Sequence, residues 1–467
     1  MAKEKKKFAP PKGTRDFMPE EMRARRLVIN VLRETFESFG YGELDTPAFE
    51  PFEMLAAKSG EEVEKQIYAF DDKGGRRLGL RFEFTASLAR VVASNPNLRM
   101  PFRRYQMGKV WRYESPQAGR YREFFQADVD IIGSDSMACE AELLTIYNTV
   151  CNKLGIKNYL VFYNHKKALF AQLNTIGIEE SKYSIALRIL DKWRKIGRNE
   201  ILREFRDAGL YEEGKKITEE FKRIVQFSAG GFQPWQLGEK AGDWINHPVG
   251  KSALEEMKCM FELAKNSGVP EEVMRFDPTL VRGLDYYTGP MIEFQTYDKI
   301  KSDDDMFIIP PEAKPIKINQ SFGGGGRYDN LVEAFGGPPK PATGFAFGVD
   351  RLVHVYLAQN PESAAMPPAD VYIIPEGAGA VNPAMALAVE LRGTGVTTLV
   401  ALDPKKAKKE FQFAAKEGFP FTVFVTEQEA ADGKAQLREM KQDAEAQSET
   451  LPIPQIKTRL TGWAVEK

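Results

Sequence analysis

Apolar residues recur at helical intervals between Glu20 and Phe39, where Met22, Leu27, Ile29, Val31, Leu32 and Phe36 repeat and Gly40 stands where such a helix would stop. A strand containing Pro47 follows in YGELDTPAFEPFEML. Residues 79–90, GLRFEFTASLAR, predict a strand running into a helix. That strand puts Arg81, Glu83 and Thr85 on one face and Phe82 and Phe84 on the other. Val110 to Gly133, VWRYESPQAGRYREFFQADVDIIG, predicts a β-hairpin around a polar loop. Its second strand carries Phe124, Gln126, Asp128 and Asp130 on one face, with Phe125, Ala127, Val129 and Ile131 on the other. A helix over 138–154 and a strand over 158–164 come next. From Lys166 to about Gly268 charged amphipathic segments such as SIALRILDKWRKI and ITEEFKRIVQF predict helices without strand alternation. After QNPESAAMPP at 359–368, a linker by composition, strand and helix alternate: DVYIIP, a helix around 384–392, TTLVAL, a helix over 405–417, FTVFVT, and a terminal segment.

Composition narrows the chemistry. The chain has 467 residues, 43% of them hydrophobic, enough for about three ordinary domains. No apolar run reaches a membrane span, and MAKEKKKFAPPKG lacks the apolar segment of a signal peptide, so a cytoplasmic protein is expected. Three cysteines without CxxC spacing, Cys139, Cys151 and Cys259, predict buried thiols rather than disulfides or a zinc site. His165, His247 and His354 are the only histidines and are far apart, which leaves little for a histidine metal cluster or a Ser-His-Asp triad. The formal charge of −1 argues against non-specific nucleic-acid coating, yet between Leu98 and Gln126 seven basic residues face only Glu114 and Glu123. Arginines, one aromatic and carboxylates on a single sheet face suit a ligand that is anionic at one end, flat at another and cationic elsewhere. ATP plus an amino acid has that form; an exposed, salt-bridged hairpin is the alternative.

Arg112, Glu114, Arg120 and Phe124 form an Arg-x-Glu, loop, Arg-x-x-x-Phe pattern that resembles the second signature motif of class II aminoacyl-tRNA synthetases. ESPQAGRYREF at 114–124 and KGTRDFMPEE near the start resemble histidyl-tRNA synthetases. The helix ending at Gly40 and the following strand resemble the first class motif, which forms the dimer interface in the family; any amphipathic helix packed on a sheet would read alike. Residues 282–289, Arg-Gly-Leu-Asp-Tyr-Tyr-Thr-Gly, match the stretch that separates histidyl-tRNA synthetases from other class II enzymes. SFGGGGRYDNLV and then ATGFAFGVDRLVHVY resemble the approach to the third motif and the motif itself, with Arg351 as its arginine and Val349-Asp350 replacing the usual Leu-Glu. The glycine run 323–326 alone is equally a flexible loop.

The resemblance implies an α+β fold: a class II synthetase antiparallel-sheet catalytic core with a helical insertion, plus a C-terminal α/β anticodon-binding domain. The expected organisation is a basic disordered tail (1–12), a first segment of the catalytic core (13–165), the helical insertion (166–268), a second segment of the core (269–358), a linker (359–368) and the anticodon-binding domain (369–467). In the family the insertion lies against the tRNA acceptor stem, although helices with solvated faces fit these residues equally. The excursion over 299–317 is expected on the surface. Lys405, Lys406, Lys408 and Lys409 can grip phosphates or form a solvated face; the family's Ser-Gly-Arg before that helix is absent.

The implied activity is that of a histidine–tRNA ligase: histidine attacks the ATP α-phosphate to give histidyl-adenylate and pyrophosphate, and the histidyl group passes to tRNA(His). By the same resemblance Arg112 and Arg282 are the catalytic contacts to the α-phosphate and border the histidine. Glu114, Arg120, Phe124 and Arg351 join Arg112 in binding ATP, with Phe124 stacked on adenine and Mg2+ bridging the outer phosphates. Glu83, Thr85 and Gln126 hold the histidine ammonium, Asp130 and Tyr287 read the ring nitrogens, and Tyr286 lines the ring pocket. Gly344 and Gly348 let the purine approach the backbone. Phe82 and Phe84 depart from the family's versions of their stretch. L-Histidine, ATP, tRNA(His) and a second copy in a homodimer are the expected partners, with no membrane. The rival is a non-catalytic histidine-sensing regulatory paralogue of histidine biosynthesis, which generally lacks the C-terminal domain.

Overall fold

The computed structural model describes residues 8–57, 64–115, 120–210, 233–237, 242–281, 286–299, 316–361, 363, 367–402, 406–440 and 448–466. These form two compact units: the described residues of Met1–Phe17 and Arg25–Gln359, and those of Met18–Ala24 and Asn360–Lys467. Arg282, the stretch 283–285, most of the 299–317 excursion, ITEEFKRIVQF and Lys405 lie outside the described residues.

The strands of the first unit are β1 (Gly42–Glu43), β2 (Phe49–Pro51), β3 (Ala69–Asp71), β4 (Arg77–Leu80), β5 (Phe102–Trp111), β6 (Glu123–Ile132), β7 (Tyr159–His165), β8 (Met274–Phe276), β9 (Pro290–Lys299), β10 (Ile316–Arg327) and β11 (Ala342–Gly348). Its longer helices are α1 (Pro19–Ser38, which belongs to this unit from Arg25 onward), α2 (Thr85–Ser94), α3 (Ala138–Lys153), α4 (Lys166–Thr175), α5 (Tyr183–Leu190), α6 (Trp193–Asp207), α7 (Pro248–Asn266) and α8 (Val349–Gln359). Eight strands make one sheet in the order β1-β5-β6-β11-β10-β9-β7-β8, antiparallel from β5 through β7 and parallel only at its edge pairs. A second sheet, β2-β4-β3, is antiparallel.

α1 buries Val28, Leu32, Thr35 and Phe36, a stripe at helical spacing, while Leu27, Ile29 and Val31 are half-buried on its flanks. Gly40 at φ +81° ends it, letting the Tyr41 N–H return to the Phe36 carbonyl at 3.1 Å. The expected strand through Pro47 is instead two short pieces, β1 and β2, with Pro47 between them. Proline offers no N–H to a ladder, so pairing stops around it.

The four glycines 323–326 are not a loop. They sit inside β10, paired to β9 on one side and β11 on the other. Glycine carries no strand signal of its own, but only glycine fits here. A Cβ on Gly323 would fall on the Tyr147 hydroxyl and one on Gly325 on the Gly344 carbonyl. Tyr147 of α3 fills that space, its ring stacked between Phe294 and Phe347 with centroids 3.2 and 3.7 Å away. Cys139 and Cys151 are buried as expected; Cys259, on the outward side of α7, is exposed.

Beyond β7, α4 and α7 pack together and α7 also packs on α3. Residues from Leu173 to Leu210, with α5 and α6, gather a separate core around Ile189, Ile201 and Phe205. The second unit holds β12 (Val371–Glu376), β13 (Thr398–Val400), β14 (Phe421–Thr426), β15 (Lys434–Glu439) and β16 (Ser448–Pro452), ordered β13-β12-β14-β15-β16. The first three are parallel, as the strand–helix alternation predicts; β15 and β16 add antiparallel strands where the sequence predicts only a terminal segment. Among the described residues no helix is long and apolar enough to cross a membrane.

Candidate functional site

The β5–β6 hairpin pairs in continuous register from Phe102 with Ile132 to Trp111 with Glu123, and Arg112 extends it by donating its N–H to the Arg122 carbonyl at 2.9 Å. Glu114 lies outside the ladder, its N–H turned back to the Arg112 carbonyl. Its side chain is 3.6 Å from exposed Arg120. Arg112 is held from three directions. Nε donates to the Phe82 carbonyl at 3.3 Å and Nη2 to Gln126 Oε1 at 3.2 Å, while the guanidinium carbon lies 4.3 Å from the Phe82 ring centroid and 5.1 Å from that of Phe124. A flat cation between two rings is a low-cost way to fix its plane. Phe82, foreign to the family's usual sequence, therefore forms part of the arginine's seat.

Arg351, at the start of α8, donates to the Ser321 carbonyl at 2.9 Å. Burial lowers it from the ordinary arginine value, and the positive charges of Arg120 and Arg112 push the same way. Burial likewise lowers Arg112, opposed by Glu114 and Glu83. Three guanidiniums whose fields overlap favour a polyanion. Asp350 anchors the next position: it accepts the Phe125 N–H at 2.8 Å and pairs with Arg25.

Glu83 departs from expectation. The strand ends at Leu80, and the Glu83 carboxylate instead starts α2, accepting the Thr85 and Ala86 N–H groups at 3.0 and 2.8 Å. Arg81 does not pair with it. Arg81 donates to the Lys109 and Thr46 carbonyls and lies 3.8 Å from Asp45. Arg81 still donates its N–H to the Ala48 carbonyl and accepts the Trp111 N–H, and beyond it the first N–H groups of the helix attract the carboxylate. Thr85 remains beside Glu83 and touches Tyr286, so the two expected ammonium contacts stay together.

Below them the polar face of β6 is buried. Gln126, Asp128 and Asp130 are 5%, 4% and 3% exposed. Asp130 Oδ2 is 2.8 Å from Nη2 of Arg104, which is fully buried, and its Oδ1 accepts the Tyr328 hydroxyl. Burial raises Asp130 above the usual carboxylate range against the pull of Arg104 and Tyr328. Burial first, then Asp130 and Glu83 as like charges, pushes Asp128 up to about 8, opposed by Arg104 and by the Gln126 donor. A Cβ on Gly344 would strike Asp130, so the space expected for a purine there belongs to that carboxylate. A Cβ at Gly348 would fit, at ordinary contact distances of 3.7 Å from the Phe322 carbonyl and 3.9 Å from the Arg351 side chain. Tyr286, Tyr287 and Tyr328 close the pocket, with Tyr286 5.0 Å from Tyr287 and 5.8 Å from Tyr328 between centroids. Gly326 leaves room for the Tyr287 ring.

The sequence-based set is thus brought together from the start of α2, the hairpin, 286–287 and α8, except Arg282, which is outside the described residues. Asp128, Arg104 and Tyr328 were not in that set. Asp128 could have been found, since alternation already put it between Gln126 and Asp130. Among the described residues no three His, Cys, Asp or Glu side chains are grouped to hold a metal ion.

The family model described as histidyl-tRNA synthetase matches residues 13–352, and that described as anticodon binding domain matches 370–462. The chain is 36% identical over 436 residues to the histidine–tRNA ligase of Thermococcus kodakarensis, covering 92% of this chain and 93% of the relative. It is 35% identical to that of Pyrococcus furiosus, with 92% and 94% covered. The solved histidyl-tRNA synthetase of Nostoc sp. PCC 7120 superposes with a TM-score of 0.78 at 26% identity, covering 98% of this chain and all of the other. With its guanidinium cluster beside a carboxylate-lined pocket, and with matches spanning both units, the chain belongs to the histidyl-tRNA synthetase family.

Proposed function

We propose that this protein is a histidine–tRNA ligase that activates L-histidine with ATP to histidyl-adenylate and pyrophosphate and then transfers histidine to the 3′ end of tRNA(His). The observation that carries this reading is the junction at Gln126. On one side Arg112, Arg120 and Arg351 make a field for phosphates; on the other Glu83, Thr85, Asp128, Asp130 and the tyrosines gather polar groups that suit a small polar ring. A carboxylate is already nucleophilic at neutral pH, so the first step needs orientation and charge neutralisation rather than a base.

Arg112, fixed between Phe82 and Phe124, holds the α-phosphate oxygen on which charge develops, and Arg120 and Arg351 hold the outer phosphates. Phe124 keeps one ring face for adenine. Arg282 joins Arg112 at the α-phosphate by resemblance. Glu83 and Thr85 receive the ammonium, while Asp130, Tyr287 and the pocket tyrosines read the imidazole; buried acceptors left unsatisfied by an apolar side chain reject it strongly. Glu114 and Glu293, whose charges reach Arg351, are hard oxygen donors that would hold a Mg2+ ion brought with ATP. When bound it neutralises phosphate charge. The unit from Asn360 onward supplies the tRNA contact, and the protein works in the cytoplasm as a homodimer.

The test is ATP–pyrophosphate exchange with each of the twenty amino acids, followed by charging of tRNA(His). Exchange with histidine alone supports the reading. Histidine binding without exchange overturns it in favour of the histidine-sensing paralogue. Light scattering in solution checks the dimer.

A further inference from the structure

Gln126 stands where the two halves of the site meet, and its amide is turned one way only. Oε1 accepts from Arg112 Nη2 at 3.2 Å, and Nε2 donates to Asp128 Oδ1 at 3.0 Å. Both side chains are about nineteen-twentieths buried or more, so bulk water does not offer an easy substitute for either bond. An arginine has only donors, so the amide must show it oxygen. If the amide flipped, its NH2 would face a guanidinium and its oxygen would face a carboxyl.

We propose that Asp128 is a positioning residue of the histidine site, which by accepting from Gln126 Nε2 locks that amide with its oxygen towards Arg112 and the bound amino acid. This inference rests on the reading of the site as a histidine-activating centre. Arg112 belongs to the phosphate side and Gln126 to the amino-acid side, so one carboxyl sets the angle between the two reactants. The bond survives a change in the protonation state of Asp128, because a carboxylic acid keeps an oxygen able to accept. Its partners in the sheet are consistent with a fixed group: Asp128 lies opposite Gln106 on β5 and Ala346 on β11, and Gln106 is itself tied to Thr46 and Asp45.

A double-mutant cycle in histidine-dependent pyrophosphate exchange tests the proposal, using Asp128→Ala, Gln126→Ala and the pair. Loss of a buried hydrogen bond to a carboxyl predicts about a tenfold rise in histidine KM for Asp128→Ala, with ATP KM within about twofold of the parent. Asp128→Asn, which can still accept from Nε2, restores histidine KM to within about threefold. In the Gln126→Ala background the second substitution adds nothing, because Asp128 acts through Gln126. Multiplying effects, or an asparagine variant as impaired as alanine, overturn the proposal. Should the alanine variant not fold, Asp128→Leu fills the space without an acceptor and takes its place in the cycle. Absence of histidine exchange in the parent protein would instead remove the functional reading itself, a separate outcome.

Discussion

Arg104 and Asp130 make a sharp prediction because only one of them can shed its charge. Arg104 is fully buried, and among the described residues none of its guanidinium nitrogens meets an acceptor in hydrogen-bond alignment; its compensation is the negative charge of Asp130. Asp130→Ala removes the carboxylate paired with that guanidinium, leaving only the field of Asp128, and an arginine keeps its charge in proteins. The expected cost is roughly 3–5 kcal/mol, the range for breaking a buried pair. Arg104→Met leaves Asp130, which can take up a proton and keep the Tyr328 hydroxyl as donor. Its cost is then the work of protonation, about 1.4 kcal/mol for each pH unit above the ordinary carboxylate value. The sign follows: the folded carboxyl binds its proton more tightly than the unfolded one, so relative stability is highest below the unfolded value and is lost as pH rises. Near about pH 5 Arg104→Met should cost on the order of 1–2 kcal/mol and Asp130→Ala still roughly 3–5, the gap narrowing near about pH 8. Urea unfolding of both variants across that range, followed by near-UV circular dichroism, reads this directly. The charge-free pair Arg104→Met/Asp130→Leu should recover most of the loss. Equal, pH-independent losses in the two single variants would refute the argument. The result also governs any kinetic test of ring recognition by Asp130, since alanine there removes a structural charge together with a contact.

Phe82→Leu removes one ring from beneath Arg112 while keeping the backbone carbonyl that accepts its Nε. A cation–π contact of about 0.5–2 kcal/mol predicts roughly a two- to thirtyfold drop in the pyrophosphate exchange rate with histidine KM little changed. Gly323→Ala drives a methyl into the Tyr147 hydroxyl between two paired strands, and we expect insoluble protein or loss of all exchange activity; soluble, active protein would show that β10 can yield. Asp128, pushed up to about 8, holds a proton that the unfolded chain loses, so it opposes folding progressively as pH climbs from the ordinary carboxylate value to about 8. Asp128→Asn should flatten the pH dependence of thermal stability over that interval, and an unchanged slope would count against the burial argument.

The hairpin from Val110 to Gly133 was legible because strand alternation has only two phases, so finding Phe124, Gln126 and Asp130 on one face also fixed which residues shared a site. α1 and α8 were equally open to reading, from helical spacing and a terminal glycine in the one case and from resemblance to the third class motif in the other. Glu83 misled because phenylalanines on both sides imitate strand alternation, whereas the carboxylate is bound to the first N–H groups of α2. The glycine run stayed ambiguous for the opposite reason: its strand is specified by what distant residues occupy, namely Tyr147 and the neighbouring backbones. Arg104 facing Asp130 follows from the register of β5 against β6, which no local pattern contains. The role of Phe82 required the position of Arg112 from another strand.

The Glu83 carboxylate also bears on attempts to retarget such a pocket. A designer wishing to admit a hydroxy acid, or any substrate lacking an ammonium group, would first neutralise the carboxylate that meets it. Here the same two oxygens begin α2, whose Ser87 and Arg90 in turn hold Glu50 of β2 at 3.2 and 2.8 Å. Losing a helix-start acceptor of this kind costs about 0.5–2 kcal/mol and lets the first turn fray. The fray would reach Thr85 and the small β2-β4-β3 sheet before any new substrate arrived. Changes of substrate are therefore better sought at the tyrosine end of the pocket, where side chains line the cavity without starting a helix.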